Sequence, residues 1–72
     1  MEHYQIKIIG PNIDESQKLV AKDNDAAIEL ALGVVARYPL NTRIFVYKLV
    51  DVDGHEFNQY IATVEHVVRR TV

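Results

Sequence analysis

The feature of this chain that most constrains its fold is a β-hairpin between Arg43 and Val64. Residues 43 to 50 are mainly β-branched, aromatic or aliphatic, and such residues favour strands. Asp53-Gly54 then favours a two-residue turn, because both residues can adopt positive φ angles. Counting outward from this turn predicts four cross-strand pairs, namely Val52 with His55, Val50 with Phe57, Tyr47 with Tyr60 and Val46 with Ile61.

Both faces of this hairpin carry apolar side chains. One face is predicted to hold Ile44, Val46, Val50, Val52, Phe57 and Ile61. The other face is predicted to hold Phe45, Tyr47, Leu49, Tyr60 and Ala62. A single helix covers only one face, and we expect it to cover the valines because tyrosine hydroxyls favour a wet edge. The uncovered apolar face is then a candidate contact surface, and its predicted binding residues are Phe45, Tyr47, Leu49 and Tyr60.

The length of the chain allows one domain, residues 1–72, with a modest core. Apolar residues make up 49% of the sequence, which is typical of a folded chain rather than a disordered one. The sequence contains no cysteine, so disulfides cannot stabilise this small fold. A second subunit is another means of stabilising a small domain, so a homodimer stays open as an alternative.

The charge and the hydropathy pattern narrow the class of protein. The formal net charge is −2, with 8 basic and 10 acidic side chains, whereas a dedicated nucleic-acid-binding domain normally carries a positive surplus. The sequence has no apolar run of about 20 residues, the length that a membrane-spanning helix needs. Its first residues lack the basic start and apolar stretch of a signal peptide. We therefore expect a cytoplasmic protein without a membrane partner.

The first half of the sequence predicts two strands and a helix. Alternation over residues 3–9 predicts the first strand. Gly10-Pro11-Asn12 breaks it, and residues 17–22 predict a second strand after a loose polar loop. Asp23-Asn24-Asp25 is typical of a helix start, and Pro39 ends a helix, so we predict the helix from Asp25 to Tyr38. Residues after Val64 predict an extension of the last strand or a short turn.

This order of elements predicts an α+β fold, a four-stranded antiparallel sheet with one helix on one face, in the order β-β-α-β-β. On the helix, Ile28, Leu32 and Val35 are predicted to form the row that faces the sheet, while Glu29 and Arg37 face solvent. The predicted core consists of Ile6, Ile8, Leu19, Ile28, Leu32, Val35, Val46 and Ile61.

The sequence contains no motif that indicates catalysis or metal binding. Residues 51–56 look like part of a calcium loop, but predicted strands flank them, where such a loop needs helices. His3, His55 and His66 have no metal-binding spacing on one element. Ser16 has no histidine nearby to act as its base. We therefore predict a non-enzymatic protein without a cofactor or a bound metal.

The predicted tyrosine pair suits two kinds of partner. Bases of single-stranded RNA stack on aromatic side chains of sheet faces. Such platforms are surrounded by basic residues, whereas the hairpin neighbours of the pair are Asp51, Glu56 and Asn58. Tyrosine is also common in protein interfaces, where it buries a large area. We favour a protein partner and keep nucleic acid as the alternative.

The stretch Leu19-Val20-Ala21-Lys22-Asp23-Asn24-Asp25-Ala26-Ala27-Ile28-Glu29-Leu30-Ala31, followed by Tyr38-Pro39 and a valine-rich strand, has a recognisable order. It resembles the small early proteins of bacteriophages, including the coliphage inhibitor of host RNA polymerase and several anti-CRISPR proteins. A strongly basic family of archaeal and eukaryotic large-subunit ribosomal proteins is similar in the same pattern. The resemblance covers about residues 16–50 and implies a phage or prophage protein that binds, and inhibits, a protein of the host.

Overall fold

The computed structural model describes residues 1–66. It contains β1 (Glu2–Gly10), β2 (Ile13–Ala21), α1 (Asn24–Val35), β3 (Arg43–Val52) and β4 (His55–Glu65). The strands form one antiparallel sheet in the order β2-β1-β3-β4. The predicted fold class is therefore confirmed. The sequence predicts a strand extension or a short turn after Val64. From residue 67 onward, this prediction concerns residues that the structure does not describe.

The connection between β1 and β2 is tighter than predicted. Gly10 lies opposite Ile13, so Pro11 and Asn12 alone form the turn. Asn12 has a φ angle of 62°, a left-handed conformation that asparagine tolerates better than most residues. The predicted loose loop is wrong, because the polar residues that follow this turn already belong to β2.

The hairpin of β3 and β4 has the predicted turn. Asp53 and Gly54 have φ angles of 53° and 80°. Three of the predicted pairs are confirmed: Val52 with His55, Val50 with Phe57, and Tyr47 with Tyr60. The fourth pair is wrong, since a β-bulge shifts the register there and Val46 lies opposite Ala62. Ala62 consequently shares the face of Val46 and not the tyrosine face on which it was predicted.

The start of α1 follows from its capping residue, whereas its end differs from the prediction. The Asp23 carboxylate accepts a hydrogen bond of 2.9 Å from the backbone amide of Ala26, which satisfies a free donor of the first turn. The helix ends at Val35, with Ala36 as its C-cap. The amide of Tyr38 donates to the carbonyl of Val35 at 3.1 Å, so the chain continues in a tighter turn and not in the helix as predicted.

The core lies between α1 and the two central strands. The helix contacts all four strands and buries Ala27, Ala31 and Val35. These residues recur every four positions, so they form one row along the helix. On the sheet, the fully buried apolar side chains are Tyr4, Ile6, Ile8, Ile44 and Val46.

The prediction that Leu32 is buried in the core is wrong, because its side chain is 49% exposed. The row of Ala27, Ala31 and Val35 faces the sheet, whereas the predicted row was Ile28, Leu32 and Val35. The helix is therefore rotated about its axis relative to the prediction, and Leu32 points toward solvent. Small side chains in the contact row also let the helix lie close to the sheet. Of the other predicted core residues, Ile6, Ile8, Val35 and Val46 are buried, and Leu19, Ile28 and Ile61 are half-buried and packed against the core.

The segment before β3 packs closely on the end of β1. A Cβ atom added to Gly10 would lie 2.7 Å from the Thr42 hydroxyl oxygen, so a larger residue at this position would force the Thr42 side chain to move. Thr42 is fully buried, and its hydroxyl has no hydrogen-bond partner among residues 1–66. Its backbone carbonyl accepts a hydrogen bond of 3.0 Å from the amide of His66, which ties the end of β4 to this segment.

Two adjacent helix positions should respond in opposite ways to a change of size. Ala31→Leu should destabilise the protein by about 1–3 kcal/mol, because the added atoms enter a filled contact row. Leu32→Ala should cost less than about 1 kcal/mol, because half of that side chain is already in water. Urea denaturation followed by circular dichroism measures both. A large loss for Leu32→Ala combined with a negligible one for Ala31→Leu would contradict the observed helix rotation.

Candidate binding surface

The sheet face opposite α1 is uncovered by any other part of residues 1–66, and we term it the open face. Side chains alternate between the two faces along each strand, so the register assigns them to this face. The four predicted binding residues all lie on it. Its side chains are His3, Gln5, Lys7 and Ile9 of β1, Asp14, Ser16, Lys18 and Val20 of β2, Arg43, Phe45, Tyr47, Leu49 and Asp51 of β3, and Glu56, Asn58, Tyr60, Thr63 and Glu65 of β4.

Two tyrosine side chains of the open face contact each other. The rings of Tyr47 and Tyr60 meet edge to face, with their centroids 6.0 Å apart. The hydroxyl groups of Tyr60 and Thr63 share a hydrogen bond of 2.7 Å. Tyr60 is 57% exposed, while Phe45, Tyr47 and Leu49 are half-buried. The four predicted residues, Phe45, Tyr47, Leu49 and Tyr60, therefore form an apolar strip along β3 that widens onto β4; we term it the aromatic strip.

The residues beside the aromatic strip on β1 were not predicted as part of the site. Lys7 lies opposite Phe45, and Gln5 lies opposite Tyr47. Lys18, one strand further, lies opposite Gln5. The alternation of β1 predicts that Gln5 and Lys7 face away from Ile6, but it does not predict which strand lies beside β1. The open face is therefore basic on its β1–β2 side, which the hairpin alone did not indicate.

The end of the hairpin projects beyond the rest of the sheet. Pairing between β1 and β3 stops at Tyr4 with Lys48. Residues 49–52 and 55–58 then pair with each other, and no third strand in the described part of the chain pairs with them. We term residues 49–58 the arm. The molecule is accordingly elongated, with principal extents of 51 × 25 × 15 Å.

The acidic residues near the turn have a structural role. Asp51 Oδ1 accepts a hydrogen bond of 3.1 Å from the Gly54 amide, so this carboxylate stabilises the turn. Asp51 lies directly opposite Glu56. Both carboxylates lie on the open-face side of the arm, which we term its outer side and which is therefore acidic. Two like charges in such a pair repel each other.

Two shallow depressions lie at the ends of the central strands. One, of about 380 Å³, lies where the arm leaves the sheet and is lined by His3, Lys18, Leu49, Val50, Asp51 and Glu56. The other, of about 370 Å³, lies at the start of α1 and is lined by Glu2, Lys22, Asp23, Asn24, Asp25 and Lys48. Charges of both signs line each depression. Within residues 1–66, no three histidine, aspartate or glutamate side chains converge as metal ligands.

The histidines lie far from one another along the sheet. His3 is next to Tyr4, which pairs with Lys48, whereas His66 follows Glu65 at the opposite end of the strands. The Nδ1 atom of His66 lies 2.6 Å from the carbonyl oxygen of Tyr38, to which it donates a hydrogen bond. His66 therefore fastens the end of β4 to the turn after α1, and the two histidines do not meet in a zinc site.

Two tyrosines outside the aromatic strip connect the helix to the sheet. The Tyr4 hydroxyl donates a hydrogen bond of 2.8 Å to Asn24 Oδ1, and burial, with smaller effects of nearby carboxylates, raises the pKa of Tyr4. The Tyr38 hydroxyl donates to the Glu15 carboxylate at 2.6 Å, and this hydrogen bond is the main cause that raises the pKa of Tyr38. Both side chains have structural roles at the two ends of α1.

Comparison with protein-family models, with curated proteins and with solved structures finds no match to this chain. Among residues 1–66, no helix has the length and apolar character needed to cross a membrane. A functional assignment therefore has to come from the surface itself, and the aromatic strip is its most distinctive feature.

The paired carboxylates of the arm give a test of its geometry. Glu56→Lys should stabilise the protein by about 0.2–1 kcal/mol, because an attractive pair with Asp51 replaces a repulsive one. The gain should shrink in 1 M salt, which screens exposed charges. The matched control is Asp14→Lys on β2, which lies opposite Ile9 and not opposite a carboxylate. An equal gain in both variants would show that net charge, and not the arm pair, is responsible.

Proposed function

We propose that this chain is a non-enzymatic binding protein that docks a host protein on the open face of its sheet and inhibits that protein. The supporting observation is the aromatic strip on a face that α1 does not cover. Aromatic side chains are enriched in protein interfaces and supply much of their binding energy. The host target and the inhibition rest on the resemblance to small bacteriophage proteins, which also leads us to propose the host cytoplasm as its location.

The strip has the properties of a prepared contact surface. The edge-to-face contact of Tyr47 and Tyr60, together with the hydrogen bond between Tyr60 and Thr63, restricts the rings before any partner arrives. Restricted side chains lose little conformational entropy on binding, which favours affinity. At one end of the strip, Arg43 and Glu65 form an exposed ion pair of 3.0 Å. A polar rim around an apolar centre is the usual arrangement of a protein interface.

Single-stranded nucleic acid is the second candidate partner, favoured by one observation. Lys7 and Lys18 lie on the same face as Phe45 and Tyr47, so stacking and phosphate contacts could occur together. The acidic outer side of the arm and the net charge of −2 oppose a polyanion. We therefore rank it below a protein partner.

The proposal predicts that target capture depends on the tyrosines. Wild-type protein, a Tyr47→Ala/Tyr60→Ala variant and a matched Leu30→Ala/Leu32→Ala control would be immobilised and exposed to bacterial lysate, with and without nuclease. Leu30 and Leu32 are 48% and 49% exposed on α1, so the control also removes two partly exposed apolar side chains. We expect a defined protein captured by the wild type and the control and lost in the tyrosine variant, with captured material unaffected by nuclease.

The other outcomes of this experiment distinguish a protein partner from nucleic acid and test whether the aromatic strip is used at all. Equal capture by all three proteins would contradict the use of the aromatic strip, and nuclease-sensitive capture would favour nucleic acid. Circular dichroism checks that the tyrosine variant is folded. If it is not, Tyr60→Arg replaces it, because Tyr60 is the most exposed member of the strip and its loss leaves the core intact.

A further inference from the structure

The outer edge of β2 is unpaired within residues 1–66, because β2 is the first strand in the sheet order β2-β1-β3-β4. A two-residue turn joins β1 to β2, so the pair next to it, Gly10 with Ile13, is hydrogen-bonded. Hydrogen-bonded and non-hydrogen-bonded pairs alternate along such a ladder. The backbone amide and carbonyl groups of Asp14, Ser16 and Lys18 therefore point away from β1. These residues are exposed, so another strand can reach their backbone groups.

The charges of this edge limit which strand can pair with it. Charged side chains on an edge strand normally oppose further pairing. Asp14 and Lys18 lie on the same face, two positions to either side of Ser16. An antiparallel partner strand with the reverse order of charges would place an opposite charge beside each of them. The strand β2 itself, read backwards, has that order.

A second copy of β2 fits the edge in one antiparallel register, with Ser16 of each copy opposite the other. This register pairs Asp14 with Lys18 of the second copy, and Lys18 with its Asp14. Residues whose backbone groups point outward then face each other, so each such pair exchanges both backbone hydrogen bonds. Registers centred on Asp14, Glu15 or Lys18 would oppose two like charges. A register centred on Gln17 would leave both charges of the open face without a partner.

The helix side of β2 suits the same register. Ile13 comes to lie opposite Leu19 of the second copy, and both side chains are half-buried against the core of their own copy. Glu15 comes to lie opposite Gln17, whose amide can donate a hydrogen bond to the carboxylate. Glu15 Oε2 accepts a hydrogen bond of 2.6 Å from the Tyr38 hydroxyl, so the second oxygen of this carboxylate is left for the glutamine.

We propose that β2 pairs with β2 of a second copy of this chain, about a two-fold axis at Ser16, which joins the two sheets into one. Backbone hydrogen bonds supply the affinity of such strand addition. Exposed ion pairs add little affinity, but they select the register. The axis is perpendicular to the sheet, so both open faces lie on one side, with the aromatic strips about 24 Å apart at the usual strand spacing. If the open face binds a partner as proposed above, the dimer presents both strips to it.

Sedimentation equilibrium of the full chain tests this pairing through an exchange of charges. We expect a monomer–dimer equilibrium for the wild type. Asp14→Lys and Lys18→Asp should each raise the dissociation constant at least about tenfold, because the two-fold axis repeats each like-charge contact. The double variant, with the two charges exchanged, should return to within about threefold of the wild-type value. The control is Lys7→Asp on β1, which changes the same charge on the same face away from the edge and should leave the dissociation constant unchanged.

Amide hydrogen exchange, followed by nuclear magnetic resonance, locates the contact independently. The Ser16 amide points outward in the monomer, so its exchange should slow as the protein concentration rises. Asn58 lies opposite Leu49, in a pair next to the hydrogen-bonded pair of Val50 with Phe57, so its amide also points outward, at the other edge of the sheet. Exchange of the Asn58 amide should not change with concentration.

Three results would overturn the proposal. One is a wild type that stays monomeric at its highest soluble concentration. Another is a double variant that associates no better than Lys18→Asp. The third is slowed exchange at Asn58 in place of Ser16, which would assign the contact to β4. Circular dichroism checks that each variant is folded, and if one is not, the exchange rates of the wild type decide. Target capture by the tyrosines is measured in separate variants, so its failure leaves this result unchanged.

Discussion

The structure depends on the packing of one row of small side chains on α1 against the central strands. Ala27, Ala31 and Val35 face the sheet, and Ile6 and Val46, which are opposite one another on β1 and β3, are fully buried. The chain has no disulfide, and a fold of this size has only a small core, so we expect it to tolerate little loss of these contacts. This packing also decides which face of the sheet α1 leaves uncovered.

The position of β1 between β2 and β3 then determines the chemistry of the open face. It places Lys7 beside Phe45 and Gln5 beside Tyr47, so the aromatic strip has a basic side on the sheet and an acidic extension on the arm. The two apolar surfaces of the hairpin thereby differ in their support. The aromatic strip lies beside neighbouring strands, whereas Val52 and Phe57, on the other side of the arm, project beyond the helix and are about half exposed.

The parts of this structure that the sequence predicts are those set by local chemistry. The Asp53-Gly54 turn requires residues that tolerate positive φ, and Asp23 provides a capping carboxylate, so both could be located. The two-residue alternation of β3 placed Phe45 and Tyr47 on one face. Prediction of the site residues followed from these local rules.

The remaining features are set by tertiary contacts. Most of the circumference of α1 is apolar, so periodicity alone does not predict whether Ala31 or Leu32 contacts the sheet. The close approach of the helix to the sheet selects the smaller residue, Ala31. The bulge that leaves Ile61 without a direct partner has no turn or glycine signal in β4. The neighbours Gln5 and Lys7 depend on the strand order, which hairpin pairing does not specify.

The central claim is that β1 lies beside β3, with Ala27, Ala31 and Val35 of α1 packed on one face of the sheet and the aromatic strip on the other. A nuclear Overhauser map of the isotope-labelled protein tests this claim most directly. The account predicts cross-strand contacts of Ile6 with Val46 and of Gln5 with Tyr47, and contacts of the Ala27 and Ala31 methyl groups with core side chains of the sheet. Contacts of β2 with β3 in place of β1, or Leu32 methyl groups in contact with the central strands, would contradict it.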